Sequence, residues 1–224
     1  MIRFKKYRLG FLAYGLTILL NFIFLPSVLA AGEEFKLSVK QAVNNVWLRG
    51  EVDYRQEGGH LFRRHYDVGL RARLTGLGDG WSLGLHYRLV YKQLANRGWG
   101  LEKRPYIQMQ KAFETSESAW LPELKWSLRT RHEFRFRQYK EDSQRNRVKL
   151  KVKMKQGVYS IRPFISNEYY YDFKKNDLTK VRFDLGIELP RIMGGKPSLY
   201  YKHTSTYKKN KWQPYSGLVL KLDF

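Results

Sequence analysis

Residues 81–91 read Trp-Ser-Leu-Gly-Leu-His-Tyr-Arg-Leu-Val-Tyr, and their alternation decides the fold. Trp81, Leu83, Leu85, Tyr87, Leu89 and Tyr91 fall on one side of an extended chain, while Ser82, Gly84, His86, Arg88 and then Lys92 fall on the other. Side chains in a strand point alternately to opposite faces, so this period of two marks a strand with one apolar and one polar face. The pattern continues in both directions. Tyr66, Val68, Leu70, Ala72 and Leu74 alternate with Asp67, Gly69, Arg71 and Arg73. Leu124, Trp126, Leu128, Phe134 and Phe136 face away from Lys125, Arg129, Arg131, Glu133 and Arg135. Val148–Met154 and Val181–Leu189 repeat it, and Leu218, Leu220, Leu222 and Phe224 end the chain.

Alternation alone also fits a soluble sandwich or a lipocalin-like barrel with the apolar face inward. Three features turn the pattern inside out. The segments run about 10 to 17 residues, where soluble strands average ~5–6 and a tilted membrane strand needs roughly 9–11. Aromatic residues gather at segment ends, among them Trp81, Tyr91, Trp120, Tyr159, Tyr169, Tyr171, Tyr200, Tyr201 and Trp212, as in the girdles of membrane barrels. The last residue of an amphipathic final strand is Phe224, a signal read by barrel-assembly machinery. The fold class is therefore all-β, a transmembrane antiparallel up-and-down barrel. Segments 45–55, 61–75, 79–93, 101–115, 121–139, 143–155, 157–173, 178–190, 197–208 and 212–224 give ten strands, an even number with both chain ends on one side. Residues 35–43 read either as one more strand-like segment or as a periplasmic lead-in, and merging or splitting segments leaves eight to twelve strands open.

The N-terminus sets the compartment. Arg3, Lys5, Lys6 and Arg8 precede an apolar run from Leu9 to Leu25, then Pro26-Ser27 and Val28-Leu29-Ala30. This is the order of a secretory signal peptide, cleaved near Ala30 or Ala31, rather than of an anchor helix. The organisation is a leader at 1–30 and one barrel at 31–224, in the outer membrane of a Gram-negative bacterium. The whole chain carries 42 Lys and Arg against 20 Asp and Glu, a formal charge of +22. Losing four leader cations leaves 42 − 4 = 38 against 20, about +18. Such a charge often means nucleic acid, but here the cations are spread along strands rather than set in blocks, and the leader opposes that partner. Cysteine is absent, which excludes disulfides and thiolate metal sites.

By parity the non-lipid face collects Arg71, Arg73, Arg88, Arg104, Arg129, Arg131, Arg135, Arg162 and Arg182, with Lys92, Lys125, Lys149, Lys151 and Lys153 beside them. Glu102, Glu133, Glu168, Asp184 and Glu188 supply counter-charges there, with Asp67 and Asp172. An arginine facing lipid at mid-depth costs about 2–4 kcal/mol, so the ordering of charge reflects the barrel before any substrate. Two readings of the interior stay open. Arginine forks would select anions by bidentate contact, or Arg–Glu pairs would simply fill a narrow lumen. Fourteen cations cannot all pair with seven carboxylates, which favours a hydrated anion path. Lys140, Arg145 and Arg147 are expected at the outer rim, near lipopolysaccharide phosphate. No serine, acid and histidine share parity and height, and adjacent His132 and Glu133 face opposite sides, so no catalysis is expected. No metal spacing, phosphate loop or dinucleotide fingerprint appears, so no cofactor or metal is expected.

A set of dispersed motifs also carries a resemblance. Arg64–Leu70, the Tyr87-Arg88 pair, Glu102–Tyr106, Arg129–Phe136, Arg145-Asn146-Arg147, Arg162–Glu168 and Arg182 ahead of Gly186 follow in that order. Over about residues 45–210 this resembles the bacterial envelope family called domain of unknown function 2490, which implies an outer-membrane barrel and hands over no catalytic residue. Asp53-Tyr54-Arg55 is similar to oligogalacturonate-specific porins, which would imply passage of acidic oligosaccharides. The expectation is a passive channel or binding site for anionic solutes, with a closed structural, envelope-maintenance barrel as the rival and an outer-membrane enzyme as the more distant alternative.

Overall fold

The computed structural model describes residues 33–57, 60–94, 98–116, 122–155, 160–208 and 210–224. The expected leader and its cleavage site lie outside them, as do Trp120 and Tyr159. Eleven strands form one closed barrel: β1 (Glu34–Val43), β2 (Val46–Glu57), β3 (His60–Arg73), β4 (Trp81–Gln93), β5 (Trp99–Thr115), β6 (Leu124–Arg137), β7 (Ser143–Met154), β8 (Arg162–Asp172), β9 (Asp177–Glu188), β10 (Lys196–Lys208) and β11 (Lys211–Asp223). Sequence neighbours pair antiparallel all the way round. The connections β2–β3, β4–β5, β6–β7, β8–β9 and β10–β11 share one end, here called the mouth. The other end, the base, carries the remaining turns and Phe224.

Ten of these strands are the ten read from the sequence, and residues 34–43 are the eleventh rather than a lead-in. The odd number corrects the even one, and the physical reason is the closure. Antiparallel pairing throughout demands an even count, but β1 runs parallel to β11. The first strand's start and the last strand's end therefore do not share a side: β1 starts toward the mouth, opposite Val219 partway along β11, while β11 ends at the base. Asn44-Asn45 makes the first turn, with Asn44 in the left-handed region at φ 53° that two-residue hairpins require.

The parallel seam is short, running from Glu34 opposite Val219 to Ser38 opposite Asp223. The β10–β11 pairing runs from Lys196 opposite Asp223 to Lys208 opposite Lys211. The last residue extends the seam, since Phe224 N–H donates to Ser38 O (2.8 Å) and Lys40 N–H donates to Phe224 O (2.9 Å). Side chains on the inner face add a second layer. Glu34 takes Lys36 (2.6 Å), Arg55 (2.8 Å) and Lys202 from across the seam, and Lys36 donates to the Tyr200 hydroxyl (3.2 Å). These ion pairs join β1 to β10 past the intervening β11.

The barrel is inside out relative to a soluble domain. Val68, Leu70, Leu85, Ile107, Leu185 and Leu218 are exposed on its outer face. Among the described residues the buried ones are mostly polar or charged, and Leu37, Val90, Tyr106, Phe164, Tyr170, Tyr200 and Val219 are the buried apolar ones. Tyr200, expected in a girdle, is one of these: its even parity in β10 turns it inward, over Gly186. Arg64 stacks between Tyr91 (5.1 Å) and Trp99 (4.9 Å) at the mouth, and Tyr207 meets Trp212 (5.5 Å), so an aromatic band does stand there.

Candidate functional site: a layered basic lumen

The inward positions of the strands enclose a cavity of about 650 Å³, whose lining includes 21 lysines and arginines and nine aspartates and glutamates. The charges sort by level along the barrel.

The middle level is a compensated belt. Glu133, at 0 % exposure, lies among Arg147 (2.6 Å), Arg131 (3.6 Å), Arg104 (3.8 Å) and Arg145, which therefore share one carboxylate. Glu168 takes Arg147 (2.8 Å), Arg129 (2.9 Å) and the Tyr170 hydroxyl (2.8 Å), with Arg182 at 3.9 Å. Glu102 takes Arg104 (2.9 Å) and Arg135 (2.5 Å). Asp67 accepts from Arg88 Nε (2.6 Å) and the Tyr106 hydroxyl (2.7 Å), and its other oxygen meets His86 Nδ1 (3.1 Å). Buried carboxylates and guanidiniums persist only with such multiple partners. His86 fits because Gly69, its cross-strand neighbour, has no side chain, and a Cβ there would stand 2.0 Å from the imidazole. The aromatic faces of the belt are themselves covered. Arg131 lies 4.0 Å over Tyr106, and Arg147 (4.7 Å) and Arg145 (4.9 Å) lie over Tyr170.

The base is also compensated, mostly by lysine. Glu188 gathers Lys196 (2.5 Å), Lys151 (2.9 Å) and Lys153 (3.1 Å), while Asp184 takes Arg182 (2.7 Å), Lys149 (2.9 Å) and Ser166 (2.9 Å).

The mouth differs. Arg55, Arg63 and Lys92 stand opposite one another in register on β2, β3 and β4, all inward. Like charges in directly opposed positions oppose pairing. Arg55 has Glu34 and Asp53, but Arg63, Lys92, Lys140, Lys180 and Lys208 line the cavity with no ion pair among the described residues. Arg63 Nε is buried without a hydrogen-bond acceptor. Beyond the strands, burial and the nearby Glu102 carboxylate push the Tyr139 phenol above its ordinary range.

Of the nine arginines read as lumen residues, Arg88, Arg104, Arg129, Arg131, Arg135 and Arg182 line the cavity. The other three sit toward the base, apart from it. Arg71 is inward and donates to Ser82 Oγ (3.0 Å), Arg73 is exposed over Trp47 (5.1 Å), and Arg162 stands opposite Glu188 with its Nε unpartnered. The expected counter-charges Glu102, Glu133, Glu168, Asp184 and Glu188 all face inward and take cations. Of the rim trio, Lys140 is exposed at the mouth, but Arg145 and Arg147 are buried in the lumen. They lie toward the mouth along β7, as read, yet odd parity aims them at Glu133 rather than at lipid headgroups.

Sequence reading missed Glu34, Lys36 and Lys202, because the seam that unites them is invisible locally. It also missed Arg63 and Lys180, although Arg63 shares parity with Asp67 and Lys180 with Arg182. A serine and a histidine do meet, but on the outer face: Ser205 Oγ lies 3.3 Å from His203 Nε2, and His203 Nδ1 lies 2.9 Å from Ser216 Oγ. The next member is the Tyr201 hydroxyl rather than a carboxylate.

No curated protein and no solved structure matches the chain, and the likeness to oligogalacturonate porins finds no counterpart among them. A family match, described as a protein of unknown function (DUF2490), covers residues 35–214. With most of the barrel inside that match, the chain belongs to the DUF2490 family.

Proposed function

We propose that this chain is an outer-membrane barrel that passively takes up small anionic solutes through its basic lumen, without catalysis. The apolar outer face supports the membrane setting, because exposed Leu, Ile and Val in such number on a soluble barrel would face water. The secretory leader read at 1–30 and the terminal Phe224 support export and delivery by barrel-assembly machinery, and Lys140 is positioned to meet lipopolysaccharide phosphate at the mouth. The observation that carries the functional reading is the row Arg55, Arg63 and Lys92 with Lys180 opposite, where cations outnumber the available carboxylates. Unpaired charge in a narrow space calls for water or mobile anions, and a positive mouth raises the local anion concentration.

The rival reading, a closed structural barrel, is favoured by one observation: the belt around Glu133 is dense and internally satisfied. A bilayer measurement separates them. Under a KCl gradient, the anion path gives measurable conductance and a reversal potential on the chloride side. A silent protein that is demonstrably inserted supports the closed barrel.

A further inference from the structure

Among the described residues two strand pairings show a register shift, and each falls beside a mouth cation that makes no ion pair there. Between β2 and β3, Arg55 pairs with Arg63 but Gln56 pairs with Leu61, so Phe62 is an extra residue. Between β8 and β9, Tyr170 pairs with Lys180 but Tyr171 pairs with Leu178, so Thr179 is extra. A bulge of this kind bends its strand and re-aims side chains, and bulges cluster beside functional sites. Here the effect is visible. Strict alternation would send Phe62 and Thr179 outward, yet both line the cavity together with their neighbours Arg63 and Lys180.

The two bulged segments stand on opposite walls. Lys180 feels the charges of Arg55 and Arg63 across the lumen, and among the described residues no acidic side chain lies within ion-pair distance of Arg63 or Lys180. Arg63 Nε is buried and unpartnered, although a guanidinium is strongly stabilised by an oxyanion. Arg63 and Lys180 point inward by the regular alternation of their strands, and the two bulges turn Phe62 and Thr179 in beside them. The two cations thus face one another across the lumen with no ion-pair partner among the described residues, which favours a mobile anion between them.

The chemistry of that occupant follows from what surrounds it. A sugar acid would need a free aromatic face to stack its ring. The belt rings Tyr106 and Tyr170 have theirs covered by Arg131, Arg145 and Arg147, and Lys180 itself lies 5.1 Å over Tyr170, which leaves Phe62 beside Arg63 as the ring at the clamp. A compact multivalent oxyanion needs only converging donors. We infer that Arg63 and Lys180, flanked by the Phe62 and Thr179 bulges, form a two-walled clamp for phosphate or phosphate-ester groups at the mouth. This deepens the anion-path reading above and rests on it.

The test uses the folded full-length barrel in detergent and in planar bilayers, with inorganic pyrophosphate and galacturonate as probes. Pyrophosphate should bind by calorimetry and block the chloride current at lower concentration than galacturonate. Arg63→Gln with Lys180→Gln should weaken binding and block at least about tenfold, as expected for lost charge-assisted hydrogen bonds. Lys153→Gln, at the base, should leave both unchanged. Should the double variant misfold, as judged by heat-modifiable gel migration, Lys180→Gln alone serves, with a smaller loss in the same direction. If pyrophosphate acts no better than galacturonate, or acts equally on the double variant, the clamp is wrong. A retained chloride preference in that case leaves the anion path standing, whereas a barrel without anion preference removes both.

Discussion

The belt and the mouth of this lumen are built from the same residue types and behave as opposites. Around Glu133 four arginines converge on one carboxylate, and every neighbouring acid is likewise surrounded. A few residues toward the mouth, Arg63, Lys92 and Lys180 face the cavity with no ion pair among the described residues. The belt is where charge holds strands together, and the mouth is where charge is left over. Net charge alone hides this division, because it sums the two levels. Stability should therefore reside in the carboxylates and selectivity in the unpaired cations.

The largest expected effect comes from breaking the belt. Glu133→Gln leaves four buried guanidiniums without their shared anion, and losing one partner of a buried charge network costs about 3–5 kcal/mol. Urea unfolding of the refolded barrel should show that loss; a change below about 1 kcal/mol would mean the belt is hydrated rather than dense.

Gly69→Ala comes next. Its methyl group would overlap the His86 ring, and displacing it from Asp67 should cost about 1–3 kcal/mol, read in the same unfolding experiment. Glu34→Gln should cost a similar ~1–3 kcal/mol by releasing Lys202, Lys36 and Arg55 at the seam. Because the seam is the shortest pairing in the wall, hydrogen exchange in that variant should rise in β1 and β11 before any other strands. Uniform exchange across the barrel would show that the ion pairs do not govern closure.

The smallest stability effect should come from the mouth. Arg63→Gln removes one of three like charges in a row, so it should be neutral or stabilising by up to about 1 kcal/mol while it reduces anion preference. A variant that loses stability and keeps its selectivity would reverse the assignment of the two levels.

How much of this was legible in the sequence depends on how local the cause is. Ten strands were visible because alternation is written residue by residue, and Leu83, Leu85 and Tyr87 need no partner to declare a face. The inward arginines followed from the same parity, as did all five counter-charges. The eleventh strand was ambiguous because its defining partner is β11, at the far end of the chain, and a parallel closure leaves no local mark. Arg145 and Arg147 were placed at the correct height but given to lipid, since height alone does not say which way a side chain turns. The bulges at Phe62 and Thr179 were illegible for a different reason. A single extra residue breaks the alternation that reveals strands, so the two places where the lumen departs from regularity are also where pattern reading is weakest.

The measurement that bears most directly on the division between belt and mouth is the reversal potential of single channels under a KCl gradient, compared between the native protein and Arg63→Gln with Lys180→Gln. The native barrel should prefer chloride, and the double variant should keep its conductance while its preference falls toward neutrality. An inserted native barrel that prefers potassium, or a double variant with unchanged chloride preference, would contradict the assignment of selectivity to the mouth.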